Sequence, residues 1–271
     1  MTDKIKRIII MGASLTSSSW YTWKDFVEIE TGITCYDLSA RGVGNEYLVH
    51  SLTSHQNLLD ENTLVLCMLT SFDKFDWYVT NERYQSLQTE KHKPNKIATN
   101  AGFWCTGSWF PLEKDIFKKT FYDEDYFCTK TIQQILLLQH LTKLTKSSLI
   151  LFFDSPIWTL TEQDINHITP ENQHQSVTKL KKDFLSFPLS KIWKSNLDTS
   201  LLEIDDVSLL GFCWANNLLW YNNNVKCHPP SSSQWEFYSK VVRPAINKYV
   251  QTQNVNLQQK IKNFDQLWKN Y

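Results

Sequence analysis

Short apolar runs, each closed by a small or polar residue, restrict this chain more than any other feature. The first is Arg7-Ile8-Ile9-Ile10-Met11, ending at Gly12. Its aliphatic residues are continuous rather than alternating, so a strand built from them needs cover on both faces. The runs at 33–38, 64–69 and 149–153 read the same way. A fifth strand is expected within 201–210, where Glu203, Asp205 and Asp206 blur the edges. Stretches with helical spacing lie between the runs, at 20–30, 45–59 and 126–144. This order implies right-handed crossovers and an α/β three-layer sandwich around a mostly parallel five-stranded sheet. One such domain over 1–250, followed by an amphipathic helix within 251–271, accounts for the 271 residues.

The segment 72–127 interrupts this rhythm. It is too long for an ordinary connection, and it is rich in aromatics, among them Trp77, Tyr78, Trp104, Trp109 and Phe110. A packed insertion with short helices is expected. It serves either as a satellite core or as a cap whose aromatics stack on a flat apolar face such as a sugar ring. Asp154, at the tip of the fourth run, reads as a turn or cap residue or as a polar contact.

The segment 230–249 opens with Ser231-Ser232-Ser233, and Glu236 is available for a capping box. Trp235, Tyr238, Val241 and Val242 then mark its buried stripe. In the tail, Leu257, Ile261, Phe264, Leu267 and Trp268 fall on one helical face. That face either packs on its own domain or makes a homodimer contact.

Charge and cysteines exclude several classes. Lys+Arg and Asp+Glu are equal at 28 each, which leaves no electrostatic footprint for a nucleic acid. No run approaches a membrane span, and the apolar stretch before Gly12 is too short for a secretory signal. The six cysteines contain no C-x-x-C pair, so free buried thiols and a cytoplasmic location are expected. Cys213, Cys227 and His228 match no standard zinc spacing, and no metal is expected.

Two motifs carry the candidate chemistry. Gly12-Ala13-Ser14-Leu15 follows the first strand, where a strand-to-helix turn can expose a serine hydroxyl. His228-Pro229 precedes the last long helical pattern. A parallel sheet gathers such positions at the carboxyl edge of its strands. Each motif taken alone also reads as a plain turn.

Together these blocks resemble the SGNH/GDSL hydrolase family. There a Gly-Asp-Ser-Leu-like block carries a nucleophilic serine and a late block carries a histidine base. Gly12-Ala13-Ser14-Leu15 matches the first block with Ala in place of Asp. Gly42, within Asp37-Leu38-Ser39-Ala40-Arg41-Gly42, matches the second-block glycine whose backbone N–H helps form an oxyanion hole. Asn45 is a further candidate donor. The third-block asparagine has no counterpart in Leu69-Thr70-Ser71-Phe72-Asp73-Lys74, and Val225 stands where the last block has aspartate.

The resemblance implies an SGNH-like, flavodoxin-like topology and serine-dependent acyl ester hydrolysis or O-acyl transfer, with O-acetyl groups of a carbohydrate as the expected substrate. Ser14 and His228 would be catalytic, and the oxyanion hole would use Ser14, Gly42 and Asn45. Substrate contacts would come from Ser71, Asp73, Lys74, Trp104 and Trp109. Asp206, Asn224 or a main-chain carbonyl would orient His228, and Arg41 could meet an anionic group. Hydrolysis needs no cofactor; a transferase would use acetyl-coenzyme A as donor. The rival reading is a catalytically degenerate protein that binds a glycan or a partner.

Overall fold

The computed structural model describes residues 5–70, 74, 76–80, 82, 96–98, 102–106, 123–154, 196–198, 208–220 and 228–270. Strand β1 (Arg7–Met11) leads through helix α1 (Trp23–Thr31) to β2 (Thr34–Asp37). Helix α2 (Asn45–Ser54) and a 3-10 turn (Gln56–Leu58) then lead to β3 (Thr63–Leu69). Three shorter strands follow: β4 (Asp76–Thr80), β5 (Lys96–Ala98) and β6 (Gly102–Thr106). Helix α3 (Glu124–Thr145) returns the chain to β7 (Ser148–Phe153). Beyond it come α4 (Leu209–Ala215), α5 (Ser231–Phe237), a π-helical turn (Tyr238–Val242), α6 (Arg243–Ile246) and α7 (Gln258–Asn270).

The main sheet is parallel with order β2-β1-β3-β7, so each crossover brings the next strand back in the same direction. A parallel bridge between Phe153 and Ser208 marks a further neighbour at the β7 edge, beside the expected fifth strand. This is the order shared by SGNH-like and flavodoxin-like α/β folds.

Strand alternation divides the core in two. Ile8, Ile10, Leu64, Leu66, Met68, Ile150 and Phe152 face Trp23, Phe26, Phe237 and Tyr238, from α1 and the C-terminal helices. Ile9, Met11, Val65, Cys67, Leu69, Leu149 and Leu151 face Leu48, Leu52, Ile132 and Ile135, from α2 and α3. Period-two geometry sends successive side chains to opposite faces, so continuous apolar strands produce two cores and three layers.

Within 72–127 the described residues include an antiparallel sheet of order β4-β6-β5, which the sequence reading did not anticipate, and most of the segment lies outside the described residues. Trp77-Tyr78-Val79-Thr80 and Phe103-Trp104-Cys105-Thr106 are rich in aromatic and β-branched residues, which suit a pleated surface. Helix α3 leaves Leu137 and Leu144 exposed while its covered face carries polar residues that bond internally. Gln139 exchanges hydrogen bonds with the backbone of Asp198, and Thr142 bonds back to Leu138 O.

Cys67 and Cys213 are buried free thiols, and burial pushes both well above the ordinary thiol range. Cys35 is pushed up to about 12, chiefly by burial. Cys213 lies inside the first core, which explains its conservative chemistry as a small hydrophobe. Among the described residues no helix is long and apolar enough to cross a membrane.

One buried charge fixes α1 to the C-terminal helices. Glu30 is fully buried and receives Arg243 Nε at 2.7 Å and Nη2 at 2.5 Å, with the Tyr238 hydroxyl at 2.8 Å. The Arg243 guanidinium also lies 5.1 Å from the Trp235 ring centroid and 5.3 Å from that of Tyr238. Such a pair is satisfied only as a set, and removing one member strands the others in low dielectric. Glu30→Ala is therefore expected to cost about 3 kcal/mol in urea unfolding, with Arg243→Met in the same direction. An unchanged midpoint for both would contradict this.

Candidate functional site

The chain leaves β1 through a tight turn. Ala13 O accepts from Thr16 N and Ser17 N, each at 3.0 Å, which places Ser14 at the outside of the bend. A Cβ on Gly12 would stand 2.1 Å from Thr16 Oγ1, so only glycine lets the turn fold back this closely. Ala13 is buried in the second core, where the carboxylate of an aspartate would be desolvated. Ser14 is partly exposed and its carbonyl accepts from Ser18 Oγ at 2.8 Å. Among the described residues Ser14 Oγ makes no hydrogen bond, to His228 or to any other group.

The segment after β2 runs beside this turn. Leu38 N donates to Ile10 O and Ala40 N donates to Gly12 O. Gly42 has φ 75°, a left-handed conformation that glycine adopts without a Cβ penalty. Arg41 reaches across to Ser17 O at 3.1 Å and Ser19 Oγ at 2.9 Å, so its guanidinium braces the Ser14 loop.

His228 comes from the other end of the chain, in the extended segment that leads into α5. Its ring meets Trp20 edge-on, with centroids 6.5 Å apart. Two indoles hold its backbone: Trp268 Nε1 donates to His228 O at 2.6 Å and Trp20 Nε1 donates to Pro229 O at 3.0 Å. Further bonds join the two arms. Gln234 Nε2 donates to Leu15 O at 3.2 Å while its Oε1 accepts from Trp23 N at 3.3 Å. Ser231 Oγ donates to Tyr21 O at 2.9 Å. The Ser14 loop and the His228 segment thus share a buried polar seam.

Asn45 is buried at the start of α2, and its amide bridges to the end of β3. Nδ2 donates to Thr70 O at 3.0 Å and Oδ1 accepts from Thr70 N at 2.8 Å. One of its two amide hydrogens is therefore committed to Thr70. Lys74 Nζ lies 3.4 Å from Asp154 Oδ2, and Asp154 is buried at the end of β7. Asp154 N donates to Leu69 O at 2.8 Å and joins the ends of β3 and β7, and its ion pair ties them to the residues before β4. Trp104 lies in β6, paired in register with Tyr78 and Ile97. Ser71, Asp73, Trp109, Asp206, Asn224, Val225 and Cys227 lie outside the described residues.

Several participants escape a local sequence reading. The N-cap of α5 is Pro230, which carries no side-chain acceptor, rather than one of the serines. Asp265 of α7 accepts from Ser232 N at 3.0 Å, and Glu236 pairs with Lys240 instead of closing a capping box. At α2, Asp76 of β4 accepts from Gly44 N at 2.7 Å and Tyr47 N at 2.8 Å. A Cβ on Gly44 would stand 2.9 Å from Lys74 O, so the glycine makes room for this approach. Gln234, Asp265 and Asp76 carry no local signal for these roles, because their partners lie in distant segments.

No protein-family model matches the chain, and no curated protein matches it. Among solved structures it is similar to the crystal structure of protein YxiM from Bacillus subtilis, with 10% identity and a TM-score of 0.44. The alignment covers 90% of this chain and 57% of that one, so the chain spans a little over half the length of the structure it matches. The fold assignment rests on the strand order described above.

Burial raises the Asp76 carboxyl from 3.8 to about 6, against the lowering effect of its two backbone donors. Between these values the folded protein holds a proton that the unfolded chain releases. The resulting stabilisation grows as pH falls through 6 and is absent well above it. The stability advantage of wild type over Asp76→Asn is expected to be larger at pH 5 than at pH 8, by about 1 kcal/mol. Paired urea titrations at the two pH values check both the sign and the size.

Proposed function

We propose that this chain is a serine-dependent acyl ester hydrolase or O-acyltransferase of SGNH-like type, acting on O-acetyl groups of a carbohydrate. The observation that carries the reading is the polar seam joining the Ser14 turn to the His228 segment beyond the carboxyl end of β1. Parallel α/β sheets bind and transform ligands at that edge.

In the proposed cycle the Ser14 hydroxyl attacks the ester carbonyl carbon as His228 takes its proton. The carbonyl oxygen becomes an oxyanion and is met by the backbone N–H groups of Ser14 and Gly42. Collapse breaks the bond to the leaving alcohol, which receives the proton from His228. Water or an acceptor hydroxyl then attacks the acyl-serine by the reverse proton path, and acetyl-coenzyme A would be the donor in a transferase. Asn45 holds the β3 end and keeps one amide hydrogen for the hole. Ser71, Asp73, Lys74, Trp104 and Trp109 are the proposed substrate contacts.

A second reading has its own support. Val225 stands in place of the orienting aspartate, and Ser14 Oγ makes no hydrogen bond among the described residues. A protein that retains the cleft and binds a glycan or partner without turnover would share both features. Loss of the orienting carboxylate lowers catalysis by orders of magnitude without abolishing it, so the two readings differ in whether Ser14 is activated.

Intact mass after exposure to a small fluorophosphonate separates them. The expected result is one adduct on the native chain and none on Ser14→Ala, with slower labelling of His228→Asn. Folded native chain that takes up no adduct would overturn the enzymatic reading in favour of binding.

A further inference from the structure

We infer that Trp268 and Trp20 are positioning residues that set where the His228 imidazole stands relative to the Ser14 turn. The inference rests on the Ser14–His228 reading above. It starts from the His228-Pro229 dipeptide. Proline fixes its own φ and restricts the preceding residue to extended conformations. The remaining freedom at residue 228 lies in the direction of its carbonyl and in its side-chain torsions. Trp268 Nε1 holds that carbonyl at 2.6 Å, and Trp20 Nε1 holds the next one at 3.0 Å. The Trp20 ring also meets the imidazole edge-on. Backbone direction and ring environment are thus governed by two indoles from opposite ends of the chain.

Both indoles are themselves locked in place. Trp20 is 6% exposed and Trp268 5% exposed, so neither can swing aside without opening packed surface. Helix α7, which carries Trp268, is anchored along its length. Leu257 and Ile261 are buried in the first core, and Phe264 stacks on Tyr21 with ring centroids 4.2 Å apart. Asp265 accepts from Ser232 N. The segment before the helix is tied by Gln253 N to Glu30 O at 2.7 Å. Tyr21 belongs to the Ser14 arm and Ser232 to the His228 arm, so α7 bridges the two arms of the proposed site. Its apolar face packs on its own fold and leaves Leu267 exposed.

The test uses the full chain with Trp268→Phe, which keeps an aromatic ring in the packed position and deletes the N–H donor together with part of the indole. Two readouts apply. One is the NMR shift of the His228 ring protons, assigned by their loss in His228→Asn. The other is the pH profile of fluorophosphonate labelling at Ser14. The expected result is movement of the His228 ring resonances and about a fivefold slower labelling rate, the size of one neutral hydrogen bond. A moved midpoint in the labelling profile should accompany the slower rate. Leu267→Ala, on the exposed face of the same helix, should change neither.

A folded Trp268→Phe protein whose His228 resonances and labelling profile match wild type would overturn the inference, even if its Tm falls. Should that variant fail to fold, Trp20→Phe decides by the same two readouts. Absence of labelling on the wild type defeats the enzymatic reading, while the resonance arm still decides whether the indoles position His228.

Discussion

Strand β1 has no face toward solvent, and the rest of the architecture follows from that constraint. Ile8, Ile9, Ile10 and Met11 are all essentially inaccessible. Covering both sides of a central parallel strand requires helices above and below, and each crossover must travel the length of the sheet. Functional groups can then emerge only at strand ends. The chain turns at Gly12 because the next residues must leave the layer between two packed cores. Ser14 owes its partial exposure to this departure.

Polar closure across the fold is achieved at long range. Asp76 accepts from the first N–H groups of α2, Asp265 from the start of α5, Asn45 closes the end of β3, and Gln234 bridges the Ser14 turn to α1. Each answers the requirement that buried backbone donors and acceptors find partners. A local cap holds one helix end; an acceptor from another element also fixes the relation between the two elements. This dual role explains why Gly44 lacks a side chain and why the serine triplet at 231–233 serves contacts other than its own cap.

The strands were legible because apolar continuity and β-branching act within a few residues. Those at 7–11, 64–69 and 149–153 reproduce the observed elements within a residue. The left-handed φ of Gly42 gives a physical reason for glycine at that position, which a reading of local pattern does not supply. The strands of the insertion were not legible, because aromatic density says that a segment packs but does not fix its period. Gln234, Asp76 and Asp265 were illegible for a common reason: each role depends on a partner that only the tertiary fold brings near.

The separation between partners also decides what kind of object the candidate site is. Trp20 and Pro229 are 209 residues apart, and Gln234 lies 219 residues from Leu15. Loop-closure cost rises only slowly with length, so such contacts are affordable once the sheet has already brought the two arms together. No local stretch of sequence holds the site by itself. Its geometry derives from the sheet, which sets the approximate approach of the arms, and from buried hydrogen bonds, which set the final placement. A side chain remote in sequence from both Ser14 and His228 can therefore alter their relation. The tryptophan of the last helix is where that coupling is most direct, because its indole bonds to the residue proposed as base.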